Sequence, residues 1–107
     1  MRIKLKEKNI MRLALNGIIS RKIYLYKNNQ LNSELFIQKR DMVYTNFYSL
    51  IQRLKNGEID EIRYSPSKND VISIILNKDN FYTLEYFTKN KEKEAQLLKI
   101  VKKSNKK

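Results

Sequence analysis

Residues 71–87 read VISIILNKDNFYTLEYF, and this stretch decides the fold. The segment Val71–Leu76 is rich in β-branched residues, which favours a strand. Residues 77–80, Asn-Lys-Asp-Asn, are typical of a turn. The aromatic segment Phe81–Phe87 then predicts a second strand that returns along the first. We therefore expect an antiparallel pair of strands in this part of the chain.

A helix and a further strand are predicted just before this pair. Thr45 can cap a helix whose apolar residues recur at a spacing of three and four, and Gly57 ends it. Ile59–Tyr64 then favours a strand, and the segment Ser65-Pro66-Ser67 interrupts it because proline lacks a backbone donor. The apolar face of the helix consists of Phe47, Leu50, Ile51 and Leu54.

The N-terminal part of the chain predicts a helix and a hairpin. Apolar residues over 7–16 recur at helical spacing, and Gly17 can cap that helix in the left-handed conformation. The segment Ile18–Tyr26 favours a strand, since it is β-branched and aromatic. Asn28-Asn29 is typical of a turn, and Glu34–Gln38 can return as the partner strand.

A last helix is predicted over Lys89–Lys103. The resulting order of elements is typical of an α+β fold in which helices cover one side of an antiparallel sheet. We expect a single small α+β domain, with a sheet of three or more antiparallel strands packed by helices, and with basic terminal arms. Its predicted segments are a basic N-terminal segment over residues 1–40, an α+β core domain over 41–103 and a basic tail over 104–107.

Two stretches carry a resemblance to a known family. Tyr44-Thr45-Asn46-Phe47 and Leu54–Ile62, which includes Gly57-Glu58-Ile59, resemble the N-terminal, extracytoplasmic domain of the FtsH family of membrane proteases. That likeness extends over about residues 44–101. It implies an α+β fold and a protein-docking role, with Phe47, Tyr48 and Phe87 as docking residues. The chain has neither a Walker A loop nor an HExxH motif, so the resemblance implies neither ATPase nor protease activity.

A second, weaker resemblance uses part of the same region. The segment from Ile62 through Val71 to Tyr82-Thr83-Leu84, together with Lys91-Glu92-Lys93, is similar to a short large-subunit ribosomal protein of eukaryotes. The shared feature is the order helix, strand, strand, helix. This likeness implies a place in a ribonucleoprotein.

The positive charge of the chain is concentrated towards its ends. Residues 1–40 hold ten Lys and Arg against two Glu, and residues 91–107 hold seven Lys against two Glu. Residues 41–90 hold six basic residues against seven acidic ones, so the formal net charge of +12 comes from the two outer segments. Such charge favours an anionic partner, and RNA phosphates would give binding that weakens with salt. Solvation of the ends and contact with an anionic membrane or an acidic protein are the alternatives.

The candidate RNA-binding residues are the basic side chains of the two ends and two tyrosines. Tyr24 and Tyr26 lie beside basic residues, and exposed aromatic rings among cations can stack on the bases of a single strand. Tyr44, Tyr48, Tyr82 and Tyr86 are more typical of a core. The full predicted set is Arg2, Lys4, Lys6, Lys8, Arg12, Arg21, Lys22, Tyr24, Tyr26, Lys102, Lys103, Lys106 and Lys107.

The composition argues against an enzyme. With no cysteine and no histidine, thiolate zinc sites, a cysteine nucleophile and a Ser-His-Asp triad are excluded. Glu58, Asp60 and Glu61 form the tightest acidic cluster, but Asp60 and Glu61 are adjacent in a predicted strand and point to opposite faces. We interpret them as a solvated strand edge. We expect no catalytic residue, metal, cofactor or small-molecule substrate.

The preferred hypothesis is a non-enzymatic structural or assembly subunit whose basic ends bind RNA, in a ribosome of bacterial, organellar or reduced eukaryotic type. The alternative is an FtsH-domain-like module that assembles with a membrane protease or translocation complex. No apolar run approaches the roughly 20 residues that cross a bilayer, so membrane contact is expected only through a partner. The cytoplasm or an organelle matrix is the favoured location.

Overall fold

The computed structural model describes residues 1–15, 22–36, 43–65 and 68–105. In these residues six strands form one antiparallel sheet with the order β1-β6-β5-β4-β2-β3, and three helices accompany it. The predicted single α+β domain is therefore confirmed. The strands are β1 (Arg2–Leu5), β2 (Lys22–Lys27), β3 (Gln30–Phe36), β4 (Glu61–Tyr64), β5 (Val71–Leu76) and β6 (Tyr82–Phe87), and the helices are α1 (Glu7–Leu15), α2 (Val43–Lys55) and α3 (Lys91–Asn105).

The predicted N-terminal hairpin is present as β2 and β3. Lys27 pairs with Gln30, and both residues between them have positive φ, 52° at Asn28 and 62° at Asn29. A two-residue loop with this backbone is the turn that matches the twist of a hairpin, and asparagine tolerates it better than most residues. The return strand begins at Gln30 rather than at Glu34. The predicted positions 18–21 and 37–38 lie outside the described residues.

Helix α2 differs from its prediction at its start. It begins at Val43, so Thr45 lies inside the first turn and is not the cap. Its C-terminal end follows the prediction, because Gly57 has φ +79°. The N–H of Glu58 donates to the carbonyl of Arg53 at 3.0 Å, and that of Gly57 donates to the carbonyl of Leu54 at 3.3 Å, which together make a Schellman cap.

The strands β5 and β6 follow their predictions closely. β5 covers Val71–Leu76 as expected, and β6 begins one residue late, at Tyr82. Strand β4 is two residues shorter than predicted and begins at Glu61. The interrupting turn at residues 66–67 lies outside the described residues. The last helix runs from Lys91 to Asn105, so residues 104 and 105 belong to it rather than to a tail.

One face of the sheet packs against all three helices. The inward strand residues and the apolar helix faces form a single buried cluster. Phe47 from α2, Leu13 from α1 and Leu97 from α3 contribute to it from the helical side. The buried apolar strand residues on this side are Leu5, Ile23, Leu25, Ile62, Tyr64, Ile72, Ile74, Tyr82, Leu84 and Tyr86. We call this side of the sheet the covered face.

The N-terminal segment belongs to this same core, which corrects the predicted boundary at residue 40. β1 is an edge strand paired with β6, and its Leu5 is buried. β2 lies inside the sheet, between β4 and β3. Residues 2–5 are therefore a paired strand rather than a free basic arm. The correction arises because these pairings join segments far apart in the chain, which local patterns do not reveal.

Candidate nucleic-acid interface

The strands present a second face, which we call the open face, and none of the helices in the described residues packs on it. Its residues alternate with those of the covered face, as the pleat of a strand requires. One row crosses all six strands as Arg2, Glu85, Ser73, Arg63, Tyr24 and Glu34, and a second crosses as Lys4, Thr83, Ile75, Glu61, Tyr26 and Leu31. A third, at one end of the sheet, contains Phe87, Val71, Lys22 and Phe36.

The centre of the open face is a hydrogen-bonded polar cluster. Glu61 is only 9% exposed. Arg63 donates to Glu61 through both Nε and Nη2, the latter at 3.2 Å from Oε1, and the hydroxyl of Ser73 donates to Glu61 Oε2. The hydrogen bond to this carboxylate raises the pKa of Arg63, so the guanidinium stays charged.

This cluster corrects one expectation about the acidic residues. Glu61 was expected on a solvated strand edge, but β4 lies between β5 and β2 in the sheet interior. Asp60, directly before β4, accepts hydrogen bonds from the backbone N–H of Asn28 at 2.7 Å and from Lys27 Nζ at 3.2 Å. These bonds lower the pKa of Asp60. The two carboxylates therefore have separate structural partners and do not converge.

Cations lie over aromatic rings on the open face. Arg63 Cζ is 4.2 Å from the ring centroid of Tyr26, and Lys22 Nζ is 5.5 Å from that of Tyr24. Lys4 Nζ is 4.9 Å from the ring centroid of Phe81, one residue before β6. Each is within the range of a cation–π contact. Aromatic and basic side chains are thus interleaved along β1, β2, β4 and the start of β6.

The predicted RNA-binding residues fall into two groups. Arg2, Lys4, Lys22, Tyr24 and Tyr26 lie on the open face. The others that the structure describes lie beside the sheet or in the helical layer: Lys6 follows β1, Lys8 and Arg12 are in α1, and Lys102 and Lys103 are in α3. Arg21, Lys106 and Lys107 lie outside the described residues. The predicted set is therefore not one surface.

The predicted docking residues also separate. Phe47 is 0% exposed, and this corrects its assignment, because its ring is an anchor of the core rather than a surface group. Tyr48 is 48% exposed on α2, whereas Phe87 is 57% exposed on the open face. Tyr48 and Phe87 are exposed on opposite layers of the domain, so they do not form one docking surface. Tyr82 and Tyr86 are buried, as expected, whereas the prediction of Tyr48 as a core residue is wrong, because its ring lies on the exposed side of α2.

Arg63 is the residue of this surface that the sequence did not single out. It faces Tyr24 directly across the β2–β4 pair, and its guanidinium lies over Tyr26. The only signal in the sequence was the alternation of β4, in which Glu61 and Arg63 flank the apolar Ile62. That pattern shows that Arg63 faces away from the core, but not which strand lies beside it.

Other kinds of site find no support in the described residues. No group of three or more acidic side chains there is placed to hold a metal ion. Within the same residues, no helix combines the length and the apolar composition that spanning a membrane requires.

Comparison of the chain with protein-family models, with curated proteins and with solved structures gives no match.

Proposed function

We propose that this protein is a non-enzymatic structural subunit that binds single-stranded RNA through the open face of its sheet. The observation that carries the proposal is the interleaving of aromatic rings and cations on that face, at Tyr24, Tyr26 and Arg63 above all. Antiparallel sheets with one helical layer leave such a face available to a ligand. Recognition of unpaired RNA commonly uses a sheet surface on which aromatic side chains stack with bases.

The chemistry of these side chains suits nucleotides. Tyr24 is half-buried beside Lys22, so one ring offers a stacking surface next to a positive charge. The Arg63 guanidinium lies over Tyr26, and a guanidinium plane can itself stack on a base. Glu61 fixes this guanidinium by accepting hydrogen bonds from its Nε and Nη2. A base that approaches the pair would meet a preformed flat cation rather than a mobile side chain.

The overall charge of the chain supports an RNA partner in a larger assembly. A net charge of +12 on 107 residues attracts polyanions at long range. Lys8 and Lys102 are exposed on the helical layer, away from the open face, and can contact neighbouring RNA in a ribonucleoprotein. A ribosome of bacterial, organellar or reduced eukaryotic type is the assembly we propose. Co-sedimentation with ribosomal particles from the native source tests that part.

The central experiment measures binding of a fluorescent single-stranded oligouridylate over a range of salt concentrations. Tyr24→Leu keeps an apolar side chain on β2 but removes the ring. Loss of a stacked base costs about 1–3 kcal/mol, so affinity should fall by about fivefold or more. The matched control is Tyr48→Leu, which removes an exposed tyrosine from α2 and should leave binding unchanged.

Two results would reject the proposal. One is an affinity for oligouridylate that does not weaken as salt rises, since phosphate contacts release counterions. The other is an equal loss in Tyr24→Leu and Tyr48→Leu, which would show that no particular face is used.

The N-terminal charge is tested by substitution at Arg2 and Lys4, because deletion of residues 1–8 would remove β1 and the buried Leu5.

A second candidate function is protein docking of the FtsH-domain kind. The specific observation in its favour is the exposed apolar surface of the open face at Leu31, Phe36, Val71 and Phe87. This candidate predicts co-purification with a membrane protease or translocation complex, and loss of that association in Phe87→Ser. Recovery in ribosomal fractions that detergent does not change would count against it.

A further inference from the structure

Building on the proposed function, we infer that the RNA backbone is held at the β5–β6 end of the sheet. Three lysines there, Lys68, Lys89 and Lys91, form what we call the lysine rim. We propose that the rim binds phosphates of a single strand while the adjacent base stacks on Phe87. Sequence reasoning missed these lysines, since two of them fall in the nearly neutral stretch of residues 41–90.

The lysine rim lines a concavity of about 640 Å³ beside the start of β5 and the end of β6, and Lys93, Glu92 and Asp70 are among the other residues that line it. Lys68 comes from the segment that precedes β5, and Lys89 and Lys91 come from the connection between β6 and α3. The antiparallel pairing of Val71 with Phe87 brings these two segments side by side. Residues about twenty apart in the chain thus line one opening.

The lysines of the rim differ from the cations of the open face. Lys22 lies 3.8 Å from Glu34, Arg63 is bound to Glu61, and Lys4 pairs with Asp79. In the described part of the chain, no ion pair is formed by any lysine of the rim. An ammonium without a carboxylate partner is available to a phosphate without first breaking an ion pair. The rim is therefore better suited to phosphates than the centre of the open face.

Two other residues that line the concavity, Asp70 and Asn90, form hydrogen bonds within the protein. Asp70 is buried, and it accepts hydrogen bonds from Lys93 Nζ at 3.1 Å and from the hydroxyl of Tyr86 at 3.4 Å. Asn90 caps α3, because its Oδ1 accepts the N–H of Glu92 at 2.9 Å. The first amides of the helix are thus engaged by their own cap. The proposed phosphate ligands are the ammonium groups of the rim, not the helix end.

The exposed ring of Phe87 joins the lysine rim to the open face. Phe87 precedes Lys89 by two residues, and its cross-strand partner Val71 follows the buried Asp70. Phe87 and Val71 also border a smaller concavity of about 470 Å³ on the open face, which Ser73 and Arg63 also line. An aromatic ring beside lysines that form no ion pair in the described part of the chain suits a nucleotide, because the base can stack on the ring while the phosphate binds the ammonium groups.

The test compares two triple variants in oligouridylate binding by the full chain. Lys68→Gln, Lys89→Gln and Lys91→Gln together remove the charge of the rim. Lys55→Gln, Lys78→Gln and Lys99→Gln together remove the same charge from exposed lysines that belong neither to the rim nor to the predicted RNA-binding set. Loss of three phosphate contacts should lower the slope of log affinity against log salt by about two. Affinity near physiological salt should then fall on the order of tenfold to a hundredfold.

A second comparison tests the stacking on Phe87. Phe36 is 58% exposed on the same end of the open face but lies across the sheet on β3, so Phe36→Leu is the matched control for Phe87→Leu. Only Phe87→Leu should weaken binding, by about fivefold or more. Circular dichroism of all variants checks that they fold.

The outcomes separate the two proposals. If the wild-type chain binds oligouridylate and Tyr24→Leu weakens it, but the two triple variants behave alike, the lysine rim is overturned and the open face stands. If the wild-type chain does not bind, both proposals fail. If polyglutamate displaces the RNA as well as an equal charge of oligouridylate does, and Phe87→Leu has no effect, the rim binds an acidic protein segment instead.

Discussion

The two faces of the sheet use alternate residues of the same strands but differ in what stabilises them. The covered face is apolar almost throughout, and Ile23, Leu25 and Ile62 have no exposed surface. The open face has a polar centre, in which Glu61 is held by Arg63 and Ser73, and exposed phenylalanines towards its margins. A sheet with one solvated face needs only one apolar side to fold. Stability should therefore depend on the covered face, and the proposed binding on the open one.

The largest test of this contrast is a pair of equal truncations. Phe47→Ala removes a ring that is completely buried, and such substitutions cost about 3–5 kcal/mol of unfolding free energy. Phe87→Ala removes the same ring from the open face and should cost below about 1 kcal/mol. Urea denaturation of both variants gives the measurement. Similar losses in the two variants would mean that the open face is part of the folding core.

The next test concerns the polar centre of the open face. Glu61→Gln keeps the size of the side chain but leaves the half-buried Arg63 guanidinium without its carboxylate. Because Arg63 is partly solvated, we expect a loss of only about 1–2 kcal/mol in unfolding free energy. Glu85→Gln on β6, which is separated from β4 by β5, is the control and should stay within about 0.5 kcal/mol. If Glu61→Gln leaves the unfolding free energy unchanged, the cluster does not stabilise the open face.

Local patterns in the sequence were sufficient to predict most elements of the covered face, although not β1. The spacing in α2, the β-branched run of β5 and the Asn28-Asn29 turn each depend on neighbouring residues, and each prediction was confirmed. The position of the start of α2 was wrong, because a threonine near a helix start can cap it or lie in its first turn. Such errors move a boundary by a few residues and do not alter the fold.

The open face was harder to predict because it depends on pairing between distant segments. Tyr24 and Tyr26 were identified from their basic neighbours in the chain, but Arg63 reaches them only through the β2–β4 pair. The same pairing places Glu61 in the sheet interior rather than at an edge. The lysine rim requires the register of β5 with β6. None of these contacts has a local signal, since a strand pattern shows which face a residue occupies but not its cross-strand partner.

A smaller effect is expected at a polar atom of the covered face. The Tyr64 hydroxyl is buried and, among the described residues, forms no hydrogen bond. Tyr64→Phe should therefore leave the unfolding free energy at neutral pH unchanged or raise it by up to about 1 kcal/mol. Tyr82→Phe is the matched control, because its hydroxyl donates to Glu7 Oε1 at 3.1 Å and its removal should cost about 1 kcal/mol.

The same tyrosine predicts a change in alkaline stability. Burial raises the pKa of Tyr64 above its value in the unfolded chain, which is about 10. Its contribution to stability is present below that pH and is lost as pH rises further, since the unfolded state then loses its proton first. Tyr64→Phe should make the fall in unfolding free energy above pH 10 shallower. An unchanged alkaline slope in urea denaturation would contradict this.

The smallest expected effect lies where the hairpin of β2 and β3 meets the segment between α2 and β4. The backbone N–H of Asn28 and the ammonium of Lys27 lower the pKa of Asp60. This stabilising contribution is present above the unfolded pKa of about 3.9 and is lost as pH falls through the lower folded value. Asp60→Asn should therefore flatten the acid limb of the stability curve slightly and speed hydrogen exchange at the Asn28 amide.

Glu34→Gln, in the same hairpin but 3.8 Å from its cation Lys22, is the control and should leave that amide protected. If the Asn28 amide exchanges at the same rate in both variants, the Asp60 contact does not stabilise the hairpin that carries Tyr24 and Tyr26, and strand pairing alone holds it in place.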